Sequence, residues 1–402
     1  MIIRKEYLND LISFRHKQLI KVVTGIRRCG KSTLFELYQE YLKTDGVASE
    51  QIIHLNFEDG EFADLETSTH LYSYINERLL PNRQMYIFLD EVQNVREFQK
   101  AVDSIYIKKN CDVYITGSNA YLLSGELATL LSGRYIEIKM LPLSFKEYVS
   151  AFPSDSNIDR LYVDYIQNSS FPYALQLTGA KDRRLYLQGI YDTIVLKDIV
   201  ARRRFPDIDM LQSVVRFMFH NIGNLSSTKK IADTMTSAGR KISVHTVESY
   251  LTSLTESFIL YKISRYDIKG KQHLKTGDKY YLADTGLRYA LLGVAKADMG
   301  HILENVVFLE LLRRGYAVHI GKVGKTEVDF VAVGDEGEEY YQVAYTVVDA
   351  DGRILKRELA PLEAINDHNA KYLLTMDHTP LTSHNGIKQI NALDWLLKRN
   401  NQ

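Results

Sequence analysis

Residues 19–42, LIKVVTGIRRCGKSTLFELYQEYL, decide how the rest of the chain is read. Residues 19–24 are a short apolar run of strand type, and residues 31–42 carry apolar positions at helical spacing. Between them lies G-x-x-x-x-G-K-[ST], with Gly25, Gly30, Lys31 and Ser32, and Thr33 follows. Glycines let successive backbone N–H groups turn inward around a β-phosphate, and the helix N-terminus adds its positive dipole. Lys31 is then placed to reach the β- and γ-phosphates, and the Ser32 hydroxyl to ligate Mg²⁺. The competing reading is a structural glycine turn. The strand before the motif and the helix after it argue against that.

A phosphate site of this kind needs a carboxylate on a parallel strand to hold the Mg²⁺ shell. MYIFLDEV supplies one: Met85 to Leu89 are apolar, and Asp90 and Glu91 follow. A continuous apolar run fits a strand covered on both faces, and ligands of open α/β sheets bind at carboxyl ends of strands. Glu91 is the candidate to polarise an attacking water, with a solvated acid as the alternative. A further strand, DVYITGSN, ends in Ser118 and Asn119, either a γ-phosphate sensor or plain turn chemistry. Arg134, in S-G-R before the next strand, is a candidate arginine finger in cis or from a neighbouring subunit; a surface ion pair is the alternative. Arg27 and Arg28 face either nucleotide or an acid such as Glu58.

The segments TGIRRCGKST, FLDEVQNV and ITGSNAYLLSGELATLLSGRYIEIKMLPLSFKEY resemble the bacterial and archaeal AAA-type ATPases that carry a C-terminal domain of unknown function. The resemblance runs over nearly the whole chain and is most specific in the first domain. It implies ATP binding with Mg²⁺ through Gly30, Lys31, Ser32 and Asp90, with Glu91 supporting hydrolysis.

Residues 146–205 read as a helical lid, with LYLQGIYDTIVLKDIVARRRF its clearest segment and a basic cluster at Arg202 to Arg204. Residues 206–295 read as a winged helix. SSTKKIADTM gives a Ser cap and a short helix, and Val244, Val247, Leu251 and Leu254 give a second helix its core face. FILYKISRYD and KYYLAD then bracket a wing. The second helix offers His245, Thr246, Glu248, Ser249 and Thr252, a poor set for base edges or phosphates. The wing carries Lys269, Lys271 and Lys275, enough for backbone contacts. Protein docking is weighed slightly above DNA binding.

Residues 296–402 read as a restriction-endonuclease-like α/β domain. HILENVVFLELLRRGY is taken as an amphipathic helix with Glu304 near its start, followed by EVDFVAV, an acidic turn and YYQVAYTVV. Glu304, Asp329 and Gln342 would converge at one end of a sheet. Metal-dependent cleavage needs two or more anionic oxygens for Mg²⁺ and a Lys to support the developing charge. Gln342 is neutral, and Ala344 stands at the Lys position. Lys322 and Lys325 are the only nearby substitutes, so the site reads as retired.

Bulk composition bounds the rest. At 402 residues the chain exceeds one ordinary core. Fifty basic and fifty acidic residues leave no bulk pull on nucleic acid, so any such binding depends on a local patch. Two cysteines, Cys29 and Cys111, suit a reducing compartment, and no apolar run reaches membrane-spanning length. The opening MIIRKEYLND lacks the apolar core of a signal peptide. The expectation is a cytoplasmic α/β protein in four parts: a P-loop parallel sheet over 1–145, a helical lid, a winged helix and a nuclease-like domain. It would act as an ATP-driven switch or motor on a protein or DNA partner, away from membranes and open to oligomerisation. The rivals are an ATP-gated nuclease and a slow ATP-binding scaffold.

Overall fold

The computed structural model describes residues 2–120, 133–200, 203, 205, 207–274, 277–293 and 298–398. It divides into two compact units, Met1–Pro142 with Glu256–Phe258, and Leu143–Thr255 with Ile259–Gln402. The first is built on five parallel strands: β1 (Ile20–Thr24), β2 (Ile52–Asn56), β3 (Met85–Asp90), β4 (Cys111–Gly117) and β5 (Tyr135–Lys139). Their spatial order is β2-β3-β4-β1-β5.

Alternation along each strand feeds two different cores. Ile87, Leu89, Val113 and Ile115 face a layer that includes Leu71, Ile75, Phe98, Val102 and Ile105, from the helices Ser68–Glu77 and Phe98–Tyr106. Phe88 and Tyr114 point the other way and stack at 4.8 Å between ring centroids. Phe35 meets Phe88 edge-on at 5.1 Å, and Tyr38 donates to or accepts from the Tyr114 hydroxyl at 3.0 Å. Both come from the helix Lys31–Thr44, so that helix covers the second face. Double coverage explains why β3 is buried at all six positions. The chain leaves β1 toward the far edge of the sheet and returns through β3 and β4. Loops following β1, β3 and β4 therefore gather at one carboxyl edge, the switch point where such sheets bind ligands.

In the second unit helices span Phe145–Val149, Ile158–Asn168 and Ala180–Asp192, and a π-helical stretch spans Thr193–Val200. Arg202, Arg204 and Lys275 lie outside the described residues. Three helices follow, Ile208–His220, Thr228–Ser237 and Val244–Glu256; Ser227 caps the middle one through the Lys230 N–H at 3.2 Å. On the third, Val247, Leu251 and Leu254 are buried as expected, whereas Val244 is 43% exposed and Tyr250 fills the core instead. Next come β6 (Leu260–Ile263), β7 (Arg265–Asp267), β8 (Gln272–His273) and β9 (Lys279–Leu282); β6 pairs with β9.

The remaining strands are β10 (Ala317–Val323), β11 (Thr326–Gly334), β12 (Gly337–Ala344), β13 (Ala370–Thr375), β14 (Thr382–His384) and β15 (Ile387–Asn391). They form one eight-stranded sheet with the β7–β8 hairpin, in the order β14-β15-β13-β12-β11-β10-β7-β8. The wing of the sequence reading is thus the edge of the C-terminal sheet, with Arg265–Asp267 running parallel to Ile320–Lys322. The helix Met299–Arg313 also departs from the amphipathic reading. Ten consecutive residues, Ile302 to Leu311, are buried, including Glu304, Asn305 and Glu310. Asn305 makes this tolerable by bridging the Leu282 N–H (2.7 Å) and carbonyl (2.9 Å), and Arg313 and Arg314 each reach Glu310 at 2.8 Å. Among the described residues no helix is long and apolar enough to cross a membrane.

Candidate functional site

The loop between β1 and the helix Lys31–Thr44 is held in a shape that only its glycines permit. Gly25 has φ +155°, and a Cβ there would stand 2.1 Å from the Met140 carbonyl oxygen. Gly30 caps the helix with φ 106°. A residue outside the motif fixes the loop as well. Buried Arg4 donates to the carbonyls of Cys29 (3.2 Å) and Leu141 (2.9 Å), tying the phosphate loop to the segment after β5. Sequence reading passed over Arg4, which has only an N-terminal position and no motif to mark it.

Lys31 lies over its own loop, 3% exposed, with Nζ 3.1 Å from the Gly25 carbonyl and 3.2 Å from Glu91 Oε1. Burial alone would lower its pKa, and Glu91, with Cys29 and Asp90 adding to it, outweighs this, so the net shift is upward. Glu91 shows the reciprocal effect. Burial pushes its carboxyl up, but Lys31, Gln93 and Arg27 hold it at about 2. Arg27 is itself ion-paired to Glu58. Glu91 sits in the left-handed region, φ 52°, a conformation that costs a non-glycine residue about 1 kcal/mol or more. Its N–H donates to Thr116 Oγ1 at 2.8 Å, and Thr116 in turn donates to Asp90 Oδ1. The other oxygen of Asp90, Oδ2, is fully buried and has no hydrogen-bond partner. A buried carboxylate oxygen left unpaired is costly unless something cationic or a donor meets it. With the Ser32 hydroxyl at the helix start, this donor set of hard oxygens fits Mg²⁺ completed by phosphate and water.

The structure therefore brings Gly25, Gly30, Lys31, Ser32, Thr33, Asp90, Glu91, Ser118 and Asn119 to the carboxyl edge of β1, β3 and β4. Ser118 and Asn119 are buried there, each 1% exposed. Arg134 is not among them. It precedes β5, its carbonyl accepts from Ile20 at the amino end of β1, and its guanidinium is paired with Asp103 over the Tyr106 ring. That is the opposite edge of the sheet, so a role on nucleotide bound by the same chain is closed to it. Residues 121–132 lie outside the described residues.

Residues 17–149 match the family model of an AAA domain, and residues 159–298 that of a Domain of unknown function (DUF8612). An uncharacterized protein of Haemophilus influenzae is 42% identical over 402 residues, covering 99% of each chain. The chain belongs to this family of AAA-domain proteins. The uncharacterized protein MJ1544 of Methanocaldococcus jannaschii is 29% identical over 343 residues, 81% of this chain and 74% of its own. Among solved structures, the Walker-type ATPase paby2304 of Pyrococcus abyssi shares the fold with TM-score 0.50 at 14% identity, over 72% of this chain and 96% of that one.

The AAA-domain protein has a second buried ionic cluster, in its second unit. Glu304, Asp329 and Gln342 do converge, and the lysine that joins them is neither Lys322 nor Lys325. It is Lys279, at the start of β9, with Nζ 2.9 Å from Glu304, 3.2 Å from Glu327 and 3.6 Å from Asp329. Tyr281 also donates to Glu304. Gln342 accepts from the Asp329 N–H at 3.4 Å and donates to Glu358 at 2.9 Å. Burial, with Glu304 nearby, pushes the Asp329 carboxyl up to about 7 against the pull of Lys279. Three carboxylates, Glu304, Glu327 and Asp329, thus share one protein cation, while Gln342 pairs with Glu358. Among the described residues no group of three or more His, Cys, Asp or Glu side chains is arranged to hold a metal ion.

Proposed function

We propose that this AAA-domain protein binds ATP with Mg²⁺ at the loop after β1 and hydrolyses it. The observation that carries the reading is the meeting of Lys31, Asp90 with its unpaired buried oxygen, and Glu91 at one sheet edge. Loop N–H groups and Lys31 would bind the phosphates, and Ser32 and Asp90 would hold the Mg²⁺ shell, which supplies charge neutralisation on the β- and γ-oxygens. Glu91 would orient and deprotonate the water, Ser118 and Asn119 would report on the γ-phosphate, and Arg134 would act only on nucleotide bound by a neighbouring copy. Glu91→Gln keeps the shape and a hydrogen bond but loses the base, so turnover should fall about 100-fold or more while ATP still binds. Turnover within a few-fold of wild type would make Glu91 a bystander.

The ATP state would set the action of the second unit, read as a helical segment over 146–205, a winged helix over 206–295 and a restriction-endonuclease-like part over 296–402. His245, Glu248 and Thr252 on the exposed face of the helix Val244–Glu256 favour a protein partner over DNA. The absence of an apolar spanning helix among the described residues and the free cysteines Cys29 and Cys111 support a cytoplasmic setting.

The nuclease-like part is proposed to be inactive, because Lys279 occupies the centre where a divalent cation would sit and Gln342 and Ala344 supply neither charge nor ammonium. Purified protein with ATP and Mg²⁺ or Mn²⁺ should leave single- and double-stranded DNA and RNA uncut over a time course. Asp329→Asn should leave ATP turnover almost unchanged. Metal-dependent cutting by wild type that vanishes in Asp329→Asn would instead establish an ATP-gated nuclease.

A further inference from the structure

The ATPase reading leaves unexplained how Glu91 is aimed, and the surroundings of its two oxygens answer that. Oε1 faces Lys31 at 3.2 Å, and Oε2 accepts from Gln93 Nε2 at 2.5 Å. Each oxygen thus has one polar partner, and the partner at Oε1 is the ammonium of the loop itself. Gln93 stands in the short 3-10 turn Val92–Asn94 directly after Glu91, where the left-handed backbone of Glu91 turns the chain back. The same Gln93 amide lies 3.4 Å from Ser118 Oγ, just past the end of β4. A carboxylate can only accept, so the amide is fixed with its NH₂ toward Glu91.

We propose that Gln93 is the positioning residue for Glu91, holding Oε2 while binding of a nucleoside triphosphate draws Lys31 away and frees Oε1 for the attacking water. Three facts support this order of events. Lys31, which holds Oε1, is an anchor that the β- and γ-phosphates compete for, and Gln93, which holds Oε2, is not. Gln93 approaches from the side of β4, on a turn whose backbone is fixed by the Asn94 N–H to Glu91 carbonyl bond at 3.1 Å. And Gln93 lies between Glu91 and Ser118, which itself hydrogen-bonds the Glu91 carboxylate, so the turn and the end of β4 hold the same group together. One event, the arrival of the phosphates, then both fills the cradle and exposes the base.

The inference rests on the ATPase reading, and the test separates the two. Full-length wild type, Gln93→Ala, Glu91→Gln and the double variant are compared for steady-state kcat and KM, and for affinity toward a fluorescent ATP analogue in EDTA. Gln93→Ala should lower kcat about 10- to 100-fold through misplacement of the base, with KM and analogue affinity within about twofold of wild type. In the Glu91→Gln background the same change should alter kcat by less than about twofold, because residues that act as a unit are not additive. An unchanged or raised kcat in Gln93→Ala, or an equal extra loss in the Glu91→Gln background, overturns the positioning role and leaves the ATPase reading standing. Binding without turnover in wild type overturns both.

Discussion

Lys31→Ala is expected to remove measurable ATP binding. Lys31 carries the only ammonium in the loop, and it is already poised there, 3.1 Å from the Gly25 carbonyl. Charge-assisted hydrogen bonds contribute about 1.5–3 kcal/mol each, and Lys31 would make two, to the β- and γ-phosphates. The loss of both corresponds to about two to four orders of magnitude in affinity. The variant also strips buried Glu91 of its main cation, so part of the effect could come from a disturbed site. Lys31→Ala/Glu91→Gln removes that charge and serves as the control. Titration calorimetry on variants with wild-type melting behaviour is the measurement, and unchanged affinity would show that the loop is not a phosphate cradle. The pH behaviour has a definite sign. Glu91, held at about 2 against its ordinary 4.5, contributes stability above about pH 4.5, and this is lost as pH falls toward 2. Lys31→Ala should flatten that acid limb.

Lys279→Met is expected to have the largest effect on stability. It removes the cation that Glu304, Glu327 and Asp329 share, all within 3.6 Å of its Nζ, and leaves, among the described residues, only Arg265, 3.8 Å from Glu327. Breaking a buried pair on one side costs about 3–5 kcal/mol, because the remaining charge is left uncompensated. Here more than one acid is left, although each can relieve the penalty by taking up a proton. Asp329 titrates in the folded protein at about 7, above its ordinary 3.8, so its contribution favours the folded state at low pH and fades as pH rises between those values. Without Lys279 pulling it down, the fade extends to higher pH. The variant should therefore be more destabilised at pH 8 than at pH 5, and adding Asp329→Asn should recover part of the loss. Denaturant melts at the two pH values decide it. A variant within about 0.5 kcal/mol of wild type at pH 8 would behave like an ordinary surface change and refute the buried-cluster account.

What could be read from the sequence follows from where each interaction partner lies along the chain. The loop from Gly25 to Thr33 announces itself because strand, turn and helix are contiguous, and the Met85 to Leu89 run because double coverage leaves no polar position. Arg4 and Lys279 were missed for the opposite reason. Arg4 meets Leu141 across most of the first unit, and Lys279 meets acids that follow it by dozens of residues. Locally Lys279 looks like a solvated strand start. The helix Met299–Arg313 misled because Glu304, Asn305 and Glu310 read as a wet face; tertiary partners satisfy Glu304 and Asn305 inside the core, and Arg313 and Arg314 one turn on satisfy Glu310. Val244 misled because helical spacing gives a face its phase, while the neighbours decide whether Val244 or Tyr250 closes it. Arg134 was correctly read as preceding a strand, and only the parallel pairing of β5 with β1 shows that this puts it at the edge away from the loop.

The pairing of β7 with β10 bears on how the chain matures as it is made. The first sheet has all five strands once Lys139 has left the ribosome. The hairpin Arg265–His273 emerges long before Ile320, its neighbour in the sheet, and Lys279 emerges before any of the carboxylates that neutralise it. At about 5–20 residues per second the nascent hairpin waits on the order of seconds with one edge unpaired. The first unit can thus be finished while the second is still an open, lysine-bearing sheet edge.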